Sequence, residues 1–96
     1  MFRINDNKGF SVTFDNGYTV SVQFGPGNYG SNYQLGFDSY GKPMTSDTAE
    51  TALLDPDGNF VPYEGNGNFV PYKGDDVQGY QSPTDVLALM NYAASL

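Results

Sequence analysis

Apolar and polar residues alternate with period two on both sides of an Asp15-Asn16-Gly17 turn signal. Phe10, Val12 and Phe14 are separated by Ser11 and Thr13; Tyr18, Val20, Val22 and Phe24 are separated by Thr19, Ser21 and Gln23. This pattern predicts a β-hairpin over 10–24. A two-residue Asn16-Gly17 turn pairs Phe14 with Thr19 and mixes apolar with polar side chains on each face. A three-residue loop instead pairs Phe14 with Tyr18, Val12 with Val20 and Phe10 with Val22. Every apolar residue then shares one face, as a half-buried sheet requires. Gly17 supplies the positive φ that the third loop position needs.

The stretch TAETALLDPDGNFVPY carries the same device. Pro56 presets a type I turn, Gly58 takes the left-handed position after it, and Leu54 faces Phe60 across a second hairpin. Pro62 cannot donate to a ladder, so the outgoing strand is short or lies at an edge.

Helical periodicity is found only near the end, in QSPTDVLALMNYAASL. Ser82 is the predicted N-cap, Pro83 the first helical residue, and Asp85 sits near the positive end of the dipole. Val86, Leu89, Met90 and Ala93 form one apolar stripe. So short a helix needs tertiary support, and the sheet offers its apolar face. The fold class is α+β: a small antiparallel sheet of hairpins with one C-terminal helix on its face. Ninety-six residues suit a single domain, 1–96. Its parts are the first hairpin (10–24), a Gly/Tyr-rich loop (25–47), the second hairpin with a nine-residue repeat (48–74), and the helix (82–95).

Two segments lack such periodicity. The loop 25–47 carries Tyr29, Tyr33, Phe37 and Tyr40 among many glycines. Connections this long are often functional. Its aromatic rings and backbone amides make it the candidate contact loop, with Asn28 and with Lys42 as its cation. The repeat, GNFVPYEG followed by GNFVPYKG, matches at seven of eight positions. An odd period sends the two copies to opposite faces of a continuous strand, so Gly65-Asn66-Gly67 is the predicted turn between them. The repeat is either a tandem duplication in a solvent-facing hairpin or a paired aromatic platform built on Tyr63 and Tyr72. Two copies are too few for a solenoid.

Composition narrows the chemistry. The chain has no Cys and no His, so nucleophilic triads, Cys/His pairs and the usual zinc sites have no ligands or bases to use. Asp55, Asp57 and Glu64 have some likeness to a calcium loop, but the glycine comes two positions too early. GPGNYG lacks the Lys-Ser/Thr of a phosphate-binding P-loop. No catalytic residue, metal ligand or cofactor is assigned, and the chain is read as a non-enzyme. Eleven acidic against four basic residues give a net charge of −7. Direct nucleic-acid binding is not expected, because phosphate contacts rest on Lys and Arg. The carboxylates are scattered, which fits solubility better than an acidic DNA mimic. The opening MFRINDNKGF lacks a signal-like apolar run, and no membrane association is expected.

The strings GFSVTFDNGYTVSVQFGPGNYG, TAETALLDPDGNFV and VQGYQSPTDVLALM resemble segments of small, mostly uncharacterised proteins of tailed bacteriophages. Relatives often carry a Cys after GNY, where this chain has Gly30, and the doubled NFVPY is its own. The resemblance transfers no activity and no functional residue. It implies a phage setting, in which small, acidic, non-catalytic proteins frequently inhibit a host factor, including components of bacterial immunity. The expectation is a binding protein in the host cytoplasm, contacting a host protein or a small nucleotide ligand. The alternative is a structural or virion-associated homo-oligomer.

Overall fold

The computed structural model describes residues 1–5, 9–24, 46–64 and 74–96. Five strands, β1 (Phe2–Asn5), β2 (Gly9–Thr13), β3 (Thr19–Gln23), β4 (Ala49–Leu54) and β5 (Val77–Gln81), precede the helix α1 (Pro83–Ser95). The strands form one antiparallel sheet in sequence order. The fold is therefore the expected α+β arrangement.

The first hairpin takes the register that side-chain parity demands: Phe10 pairs with Val22 and Val12 with Val20. The amide of Gly17 donates to Phe14 O and that of Phe14 to Tyr18 O, both at 2.9 Å. Gly17 has φ +89°. This is a type I turn followed by a left-handed glycine, whose twist matches that of the strands. The second turn copies it. Gly58, at φ +83°, donates to Asp55 O, and Asp55 N donates to Asn59 O. The Asp55 carboxylate accepts from the amides of Asp57 and Asn59, both at 2.9 Å, which occupies it as a turn former. The two turns sit side by side, and a Cβ on Gly17 would lie 3.0 Å from the Pro56 ring.

After the second turn the chain touches the outer edge of β4 at isolated points: Leu54 bridges Phe60 and Val61 N donates to Leu53 O. Tyr63 then bridges Asp75, just before β5. Strand β5 then takes the rest of that edge, along Ala49–Ala52. Opposite Glu50 it carries two residues, Gly79 and Tyr80, since Gln78 pairs with Thr51 and Gln81 with Ala49. This bulge reverses the side-chain parity of β5. Tyr80 is turned outward and left-handed, at φ +55°, while Gln81 is buried.

The helix starts with a reciprocal capping box. Ser82 Oγ accepts from Asp85 N at 3.1 Å, and Asp85 Oδ2 accepts from Ser82 N at 2.9 Å. Leu89 and Ala93 are its buried positions, with Val86, Met90 and Tyr92 half-buried beside them. They close the core over Val12, Val20, Val22, Ala49, Leu53, Val61 and Tyr63. Each fully buried aliphatic such as Leu53 or Leu89 contributes roughly 1.5–3 kcal/mol. The helix lies over β3, β4 and β5 and makes no comparable contact with β1 or β2.

Candidate binding surface

Of the residues assigned to partner contact from sequence, Asn28, Tyr29, Tyr33, Phe37, Tyr40, Lys42 and Tyr72 lie outside the described residues. The predicted Gly65-Asn66-Gly67 turn does too. Tyr63 is described, and the structure corrects its assignment. It is 1% exposed, and its hydroxyl is 2.5 Å from Thr51 Oγ1. Val61 and Tyr63 are spaced by two around Pro62, so both turn inward once Val61 docks on β4. A side chain sealed this way offers no platform to a partner. Burial pushes its phenol up to about 12, against the lowering effect of the Thr51 hydrogen bond.

The described residues open a different surface, around β1 and β2. On the helix side, Phe2 and Ile4 stand opposite Val12 and Phe10, beyond the reach of α1. They are 73% and 79% exposed. The Phe2 and Phe10 rings tilt against each other with centroids 6.1 Å apart. On the opposite face, Arg3 pairs with Ser11 and Ser11 with Ser21. The Thr13 and Thr19 hydroxyls are hydrogen-bonded at 2.8 Å. These side chains and Leu54 line a shallow open groove of about 380 Å³. Among the described residues, no carboxylate pairs with Arg3.

Among the described residues, the edge of β1 is itself open. Met1 exchanges both backbone hydrogen bonds with Thr13, at 2.8 and 2.9 Å. Alternation along an antiparallel ladder then points Arg3 and Asn5 at β2 as well. Phe2 and Ile4 direct their N–H and C=O groups away from the sheet, and no described strand lies beyond them. Sequence reading missed this surface. Its signal was the apolar–polar alternation of Phe2, Arg3, Ile4 and Asn5, a run of four residues.

Among the described residues, no group of three or more His, Cys, Asp or Glu is placed to hold a metal ion. Among them also, no helix is long and apolar enough to cross a membrane. No family model, no curated protein and no solved structure matches this chain.

Proposed function

We propose that this chain is a non-catalytic, phage-encoded binding protein that inhibits a host factor, a component of bacterial anti-phage defence such as a CRISPR or nucleotide-signalling system. The observation that supports it is the exposure of Phe2 and Ile4 on the sheet face beyond the helix. A chain of modest core that leaves large apolar residues together at an edge has a surface suited to a partner. The absence of His and Cys from the sequence points the same way, toward binding rather than group transfer. The aromatic residues of 25–47, with Lys42, form the second part of the proposed contact set.

The test is phage plating on a host that expresses the chain beside a defence system. Plating should recover with the chain present. It should be lost again with Phe2→Ser and Ile4→Ser together, or with Tyr29→Ala, Tyr33→Ala and Tyr40→Ala together. Plating that stays blocked across CRISPR and nucleotide-signalling defences rejects the inhibitor. The exposed Phe2 and Ile4 side chains also suit one other reading, a virion-associated oligomer packed face to face, which light scattering would reveal as a large symmetric assembly.

A further inference from the structure

We propose that the free edge of β1 takes an extended strand from a different protein, one with a carboxylate between two apolar residues, and that Arg3 excludes a second copy of this chain from the same place. The inference rests on the binding-protein reading and names the kind of segment bound.

The backbone geometry sets the pairing. Only Phe2 and Ile4 present outward donors and acceptors in β1, so an added antiparallel strand gains its full set of four hydrogen bonds by pairing residues with both. For a second copy, one register does this: Phe2 opposite Ile4 and Ile4 opposite Phe2. That register places Arg3 directly against the other copy's Arg3. On this edge Arg3 occupies a non-hydrogen-bonded position, where opposed side chains approach closest. Two guanidinium groups there repel, and like charges directly opposite weaken a strand pair. Sliding the register to avoid this pairs Phe2 with Phe2 or Ile4 with Ile4, and within the described strand Phe2–Asn5 either keeps only half of the hydrogen bonds. A charge on an edge strand is a known device against self-pairing.

The same position selects the partner. Residues opposite each other project to the same face, so those facing Phe2 and Ile4 meet apolar side chains on the helix side. The one between them meets Arg3 on the hydroxyl-lined face, where Ser11, Thr13, Thr19 and Ser21 are uncharged and the other described charge lining the groove, the Met1 ammonium, is also positive and donates to Thr13 O. A Glu or Asp completes the pair.

The test uses two blocked pentapeptides, acetyl-Thr-Val-Glu-Val-Thr-amide and its Lys counterpart, titrated at millimolar concentration into the labelled full chain. The Glu peptide should shift the Phe2 and Ile4 amide resonances and bind about tenfold more tightly than the Lys peptide. Arg3→Glu should reverse that preference, and a 1:1 mixture of wild type with Arg3→Glu should form a heterodimer while each alone stays monomeric. Equal response to both peptides, or none, overturns the proposal. So does wild-type dimerisation through β1, which gives the edge to a second copy. Identical shifts with sodium acetate also overturn it, because the groove then takes a free carboxylate. If the peptides fail while plating recovers, the protein binds its host factor elsewhere. If the peptides bind while plating stays blocked, the edge is real and the inhibitor reading fails.

Discussion

The side-chain amide of Asn16 donates to Ala93 O at 2.8 Å, joining the β2–β3 turn to the last turn of the helix. The same Nδ2 reaches Leu96 O at 3.0 Å, and Oδ1 accepts from Tyr18 N. Carbonyls at a helix C-terminus have no partner within the helix, and α1 has no basic residue in its last turn. Asn16 takes that role from seventy-seven residues away. Asn16→Ala should lower stability by about 2 kcal/mol, read as the urea midpoint. Asn16→Asp should be worse, since it keeps the bond from Tyr18 but sets a negative charge against the carbonyl end of the dipole. Equal losses would mean that the cap is not electrostatic in origin.

Tyr63 makes the fold sensitive to alkali. Its phenol ionises near pH 10 when unfolded and near 12 in the native chain. The contribution is complete below pH 10 and declines as pH rises toward 12, by about 1.4 kcal/mol per unit, because the unfolded chain releases a proton that the native one holds. Denaturation at pH 8 and pH 11.5 should show this decline in wild type and a smaller one in Tyr63→Phe. At neutral pH the Phe variant should be weaker by about 1–2 kcal/mol, from the buried Thr51 hydroxyl left without that partner.

Tyr80 holds a left-handed backbone, a conformation that opposes its Cβ by about 1 kcal/mol. Tyr80→Gly should therefore raise stability by up to that amount in chemical denaturation, and Tyr80→Val should lower it. An unstabilised Gly variant would mean that the exposed ring contributes packing equal to the strain.

Removing residues 65–73, one period of the repeat, should leave the fold intact. Tyr63 and Asp75 already face each other in an isolated antiparallel bridge. The shortened chain links them through Glu64 and Gly74, and Gly74 has the positive φ that a two-residue hairpin turn requires. Loop closure becomes easier by about 1.5 kcal/mol. Loss of the cooperative transition in circular dichroism would show that the excised residues hold the sheet together.

Period-two alternation and turn chemistry made the first hairpin legible to the residue, because parity leaves one register that keeps Val12 and Val20 together. The same logic placed Leu54 opposite Phe60, and capping residues placed the helix. Two strands escaped. In β1 the alternation is too short to stand above chance. In β5 the Gly79-Tyr80 bulge inverts the alternation, so Tyr80 looks outward where a regular strand would send it inward. Tyr63 differs from its expected surface position for a related reason: the repeat and Pro62 carry the marks of a surface loop, whereas Val61, two residues earlier, carries the inward parity.

The bridge between Tyr63 and Asp75 brings the two ends of the segment between them together, whatever number of NFVPY units it holds. If removal of a period is tolerated as predicted, slippage that adds or drops nine residues displaces no described strand, because the first tyrosine after the Pro56 turn fills the slot beside Thr51. Variants with one, two or three periods would then share the scaffold of β1–β5 and α1.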